Sequence, residues 1–94
     1  MKTDLITLEL LVNNHPGVMM HVVSLFARRA FNMEGIACFP CTDPTQSRMW
    51  LRVKNDSQLA QIEAQLLKLI DVLEIHHDSV NHEAFVAMET FFSA

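Results

Sequence analysis

The chain has 94 residues, half of them hydrophobic, with only two glycines and three prolines, which leaves room for one compact domain and no second core. Domains of this size bury only about two-thirds of the surface their unfolded chains expose, so an oligomer that hides further apolar area is expected. A net charge of −4 at pH 7, with seven scattered Lys and Arg, excludes the basic surface that nucleic acid or anionic lipid requires. Asp4 and Glu9 interrupt the first apolar run and speak against a signal peptide, and no stretch approaches membrane-spanning length, so a cytoplasmic protein with reduced cysteines is expected.

Residues 5–12 place Ile6, Leu8, Leu10 and Val12 on one side and Thr7 and Glu9 on the other, the two-residue period of a half-buried strand. The tight turn Asn13-Asn14-His15-Pro16-Gly17 then opens a helix predicted over residues 16–30, on which Val18, Val22, Leu25, Phe26 and Ala30 recur at helical spacing and Arg28-Arg29 fall in the last turn. Residues 31–41 are rich in apolar side chains, Thr42-Asp43-Pro44-Thr45-Gln46 supplies turn chemistry, and Ser47 to Val53 resumes the alternation, a predicted hairpin. Asn55-Asp56-Ser57 precedes a second helix with the apolar stripe Leu59, Ile62, Leu66, Leu69 and Ile70, and residues 72–77 read as a fourth strand.

The order βαββαβ predicts an α+β, ferredoxin-like domain over residues 1–79: a four-stranded antiparallel sheet with both helices on one face. Residues 80–94 are too apolar for a solvated linker and are expected to pack on a neighbour. In the third strand, Met49, Leu51 and Val53 are predicted to face the helices, leaving Arg48, Trp50 and Arg52 on the open face. An exposed Trp between arginines suits a protein interface, whether with a second copy or with another protein.

The turn after the first strand carries the candidate site. Pro16 suits a first helical turn, Gly17 permits close backbone approach, and the free amides that follow suit a carboxylate or phosphate. The amides of Asn13 and Asn14 both donate and accept, so a small zwitterion would satisfy the turn. The alternative is that Asn14 or His15 merely caps the helix.

Other chemistries are not encoded. Cys38 and Cys41 have redox-motif spacing but sit on or near a strand, where an odd separation sends side chains to opposite faces. His76-His77 fails as a metal pair for the same reason, and His15, His21 and His82 have no helical partner that completes a metal site. There is no recognisable nucleophile triad, phosphate loop or dinucleotide glycine pattern, so no catalytic residue and no metal is assigned.

Three segments, LVNNHPGVMMHVVSLFARRAFNMEGI, CTDPTQSRMWLRV and QIEAQLLKLIDVLEI, together resemble the small regulatory subunits of acetohydroxyacid synthase, also called acetolactate synthase, over residues 5–79. Asn-x-Pro-Gly-Val is shared by many amino-acid-sensing ACT domains, whereas Arg-Arg-x-Phe-Asn-x-Glu-Gly and Asp-Pro-Thr-x-Ser-Arg-Met are narrower. The short length is most similar to the isozyme I type. The resemblance implies a homodimer that binds valine at its interface and both activates and feedback-inhibits a separate large subunit, on which thiamine diphosphate, Mg and FAD are expected, with no cofactor on this chain. It also implies ligand roles for the turn at Gly17, whose following amides would take the carboxylate, for Asn14 and, from the partner protomer, for Asn32. Val18 and Ile36 are expected to wall the isopropyl group, and Arg48, Trp50 and Arg52 to grip the large subunit. The competing readings are an ACT sensor serving a different enzyme, an acylphosphatase-type enzyme, whose phosphate-binding arginine the first loop lacks, and an RNA-recognition module, whose open-face aromatics Trp50 alone does not supply.

Overall fold

Alternation in the first and third strands sets the layer order. Leu8, Leu10, Val12, Met49, Leu51 and Val53 are completely buried, and they form one cluster with Val18, Val22, Leu25 and Phe26 of the first helix and Leu59, Ile62 and Leu66 of the second. Two helices therefore cover one face of a sheet. The computed structural model describes residues 5–78 together with 87, 88, 90 and 91. Its elements are β1 (Leu5–Asn13), α1 (Val18–Arg28), β2 (Met33–Pro40), β3 (Gln46–Lys54), α2 (Leu59–Leu67) and β4 (Val72–Asp78). The sheet is antiparallel with strand order β2-β3-β1-β4, the expected βαββαβ arrangement, and β2 and β4 form its edges. The proposed tail falls outside the described residues apart from helical Ala87, Met88, Thr90 and Phe91.

Helix α1 is shorter at both ends than the apolar spacing predicts. At its C-terminus Ala30 takes φ 53°, the left-handed conformation that ends a helix. The Phe31 amide reaches back to the Phe26 carbonyl at 3.0 Å and the Ala30 amide to Ala27 at 3.1 Å, the paired bonds of a Schellman stop. Phe31 then packs edge-on against Phe26, with ring centroids 5.8 Å apart at 84°. Ala30 thus leaves the helical stripe and Phe31 takes its place in the core. Ile70 departs from its predicted stripe for a similar reason: α2 ends at Leu67, the helical period lapses, and Ile70 is 89% exposed. Ahead of α2, the Asp56 carboxylate accepts the Gln58 N–H at 2.7 Å.

The outer face of the sheet is not uniformly exposed. Thr7 and Arg52, opposite each other in the β1–β3 register, are 1% and 6% exposed. The expectation of an accessible Arg52 is therefore corrected: it sits on an interior strand, flanked by Thr7 on one side and Gly35 on the other.

Relief of the left-handed strain at Ala30 outweighs the entropy a glycine adds to the unfolded chain, so Ala30→Gly is expected to raise stability by about 0.5–1 kcal/mol. Leu51→Ala should lower it by about 2–5 kcal/mol through lost transfer energy and a cavity, whereas Ile70→Ser should change it by less than about 0.5 kcal/mol. Urea unfolding of the three variants at one protein concentration measures all three.

Candidate functional site

Three loops meet at one end of the sheet. The Asn13 amide donates to the Asp71 carbonyl at 2.9 Å, tying the β1–α1 turn to the α2–β4 turn, and the Asn14 amide donates to the Thr45 carbonyl at 2.8 Å, tying it to the β2–β3 hairpin. The side chains repeat both links: Asn13 Nδ2 donates to Asp71 Oδ1 at 3.2 Å and Asn14 Nδ2 to the Pro44 carbonyl at 3.0 Å. Within the hairpin, Asp43 Oδ1 accepts from the Thr45 amide at 3.0 Å and its hydroxyl at 2.7 Å. Those two bonds, the amide first, hold the Asp43 carboxyl below its ordinary range.

Gly17 is the pivot of this turn. It stands at φ 92°, ψ −9° as the residue before α1, and a Cβ built on it would meet nothing within 4 Å. No side chain caps the helix, so the capping alternative for Asn14 and His15 is overturned. Asn14 is instead engaged with Pro44, and His15 with Pro16 and Asp71. Pro16 precedes the helix rather than opening it, because the positive φ at Gly17 interrupts the helical path. The Val18 amide bonds the His15 carbonyl at 3.3 Å and the His21 amide the Gly17 carbonyl at 3.0 Å. Among the described residues, the amides of Gly17, Met19 and Met20 have no backbone acceptor. Unpaired amides, open space and the positive end of a helix make a corner that can hold a carboxylate.

The other expected ligand residues are distributed along the fold. Val18 is 7% exposed and belongs to the core, and Ile36 packs partly buried against that core from β2. Asn32, just ahead of β2, is exposed and donates to Glu34 Oε2 at 2.7 Å. It borders a shallow apolar depression of about 220 Å³ with Val23, Phe26, Phe31 and Met33. Asn32 and Gly17 flank opposite ends of α1, whose 11 residues span about 16 Å at 1.5 Å each, so one chain does not bring them together. On the outer face, Arg48 is exposed and pairs with Glu9 at 2.5 Å. Trp50 is half-buried, not exposed as expected; Phe39 packs against it with ring centroids 6.2 Å apart at 55°, and it is Phe39 that is 58% exposed. Leu11, Phe39, Arg48 and Trp50 line a cavity of about 450 Å³ there.

Cys38 packs towards the core, where burial pushes its thiol up, while Cys41 lines the outer cavity, and both are free. The residue pair that sequence reasoning missed is His15 with Asp71, which are hydrogen-bonded although 56 positions apart. No local spacing signals such a contact; only the register of β1 against β4 creates it.

Comparison with known proteins completes the picture. The family described as AHAS small subunit-like ACT domain matches residues 8–74. The acetolactate synthase isozyme 1 small subunit of Escherichia coli (strain K12) is 47% identical over 89 residues, which cover 95% of this chain and 93% of that protein. This chain belongs to the acetohydroxyacid synthase small-subunit family. It is a regulatory, non-catalytic subunit of the isozyme I type, and it serves a separate large catalytic subunit. The small subunit is also 46% identical over 69 residues to the acetolactate synthase small subunit of Haemophilus influenzae, spanning 42% of that longer protein. Its fold matches the crystal structure of the Thermotoga maritima small subunit with a TM-score of 0.70 and 31% identity, over 93% of this chain and 67% of that one. No helix among the described residues of the small subunit is long and apolar enough to cross a membrane.

Removing the Asn14 side chain deletes its bond to Pro44. Asn14→Ala should cost about 1 kcal/mol in urea unfolding and speed hydrogen exchange of the residue-14 amide, which the same junction protects.

Proposed function

We propose that this small subunit forms a cytoplasmic homodimer that binds valine at the dimer interface, activates its large subunit and transmits feedback inhibition in branched-chain amino acid synthesis. The observation that carries the reading is the Gly17 turn, with amides that have no backbone acceptor beside space where, among the described residues, nothing lies within 4 Å of a Cβ built on Gly17. The valine carboxylate takes those amides. Asn14 Nδ2 is spent on Pro44, so its Oδ1 serves the ammonium group.

The position of Asn32 supports a site shared by two chains. Among the described residues β2 is an edge strand, paired with β3 on one side only, and such an edge invites pairing. If two β2 strands pair antiparallel about a two-fold axis, the Met33 end of one lies beside the Pro40 end of the other. The Pro40 end adjoins the hairpin that Asn14 holds, so the partner's copy of Asn32 approaches the Gly17 turn. The exposed apolar residues of α1, Met19, Met20 and Val23, supply contact area. Valine controls the enzyme only if it binds one state of the assembly better than another. Arg48 and Trp50, with the exposed Phe39 beside them, form the surface assigned to the large subunit; the buried Arg52 is no part of it.

Calorimetric titration of the full chain with valine, with leucine, isoleucine and an unrelated amino acid as controls, tests the site. Saturable binding is expected, with isoleucine and leucine weaker by about 1–3 kcal/mol; no heat with any of them, with or without the large subunit, refutes it. Gly17→Asp sets a carboxylate against that of the ligand, and like-charge juxtaposition costs several kcal/mol, so its valine affinity should fall by at least about 100-fold while activation of the large subunit persists. Activation unchanged in an Arg48→Ala, Trp50→Ala double variant would discard the gripping surface.

A further inference from the structure

His15 occupies an unusual electrostatic position. Its Nδ1 lies 2.6 Å from the Pro16 carbonyl oxygen and its Nε2 is hydrogen-bonded to Asp71 Oδ2. A carbonyl and an ionised carboxylate only accept, and a neutral imidazole offers one N–H and one lone pair. Only the imidazolium satisfies both contacts; in the neutral ring a nitrogen lone pair faces an oxygen lone pair.

The Pro16 carbonyl belongs to the same peptide unit as the Gly17 N–H. That unit is planar and trans, as no cis peptide occurs among the described residues, so its C=O and N–H point in opposite directions. Whatever holds the carbonyl aims the amide. We propose that His15 is a positioning residue for the effector: its imidazolium, anchored by Asp71, pins the Pro16–Gly17 peptide with the Gly17 N–H turned to the ligand carboxylate, and valine affinity falls as His15 loses its proton. This rests on the Gly17 turn being the valine site.

The surrounding groups are consistent with that charge. The Pro16 carbonyl first, and Asp71 after it, raise His15 above its ordinary 6.5. Burial opposes ionisation of Asp71, but hydrogen bonds from His15 and Asn13, with the nearby charges of His15 and His21, outweigh it and lower its pKa. From the hairpin, Asp43 is committed to Thr45. A raised histidine stabilises fully below about 6.5 and loses its contribution as pH rises through the raised value. The depressed Asp71 contributes above 3.8 and is lost as pH falls through its lowered value. The turn is therefore intact between those two limits and loosens as pH rises through the raised His15 value.

Calorimetric titration of the full chain with valine from about pH 6 to about pH 8.5 reads the effect. Affinity should fall by at least about fivefold over that range. His15→Gln, which keeps a donor but does not titrate, should give a flat profile; Asp71→Asn should move the fall to lower pH; His21→Gln should leave it in place. Valine binding that is saturable yet independent of pH overturns the role of His15 and leaves the valine site standing, whereas no binding at any pH removes the site itself. In the ligand-free protein, NMR supplies a separate readout: the Gly17 amide shift should follow the titration of the His15 ring, and a Gly17 shift indifferent to it overturns the pinning.

Discussion

The register between β1 and β3 is the constraint on which the remaining geometry depends. With Leu8, Leu10 and Val12 facing the same core as Met49, Leu51 and Val53, a slip of one residue would turn every one of these side chains to the opposite face. The same register sets Asn13 opposite Gln46, and that pairing brings Asn14 within reach of Thr45 and Pro44. The β1–β4 register does the equivalent on the other side, delivering Asp71 to Asn13 and His15. Core packing thus fixes the site at a distance: apolar burial decides the register, and the register decides which polar groups meet at the sheet end.

Two left-handed residues, Gly17 and Ala30, bracket α1 and give its ends different characters. At Gly17 the chain breaks the helical path and leaves amides unclaimed beside open space, a polar end suited to a charged ligand. At Ala30 the Schellman bonds take up the carbonyls of Phe26 and Ala27 and fold Phe31 onto Phe26, an apolar end beside the Asn32 depression. A ligand that needs both the Gly17 amides and an Asn32 side chain must draw them from two chains, since the helix keeps them apart within one. In the proposed site, therefore, effector binding and assembly are tied together, the property a regulatory subunit requires if its ligand is to change how the complex works.

The sequence by itself determined the element order, the core-facing residues of β1 and β3 and the family, because period-two alternation and a run of narrow motifs are local properties of the chain. It also located the turn at Asn14 to Gly17, since proline and glycine punctuate structure wherever they fall. What it misplaced were element ends: Ala30 and Ile70 fit a helical period that the backbone had already left, and no propensity rule anticipates a non-glycine residue in the left-handed region. The tertiary structure alone decided the His15–Asp71 pair, the capture of Asn14 by Pro44, the burial of Arg52 and the packing of Phe39 against Trp50. Each of these depends on strand pairing between residues remote in sequence, and pairing is a consequence of burying the whole core at once, which no short window of residues contains.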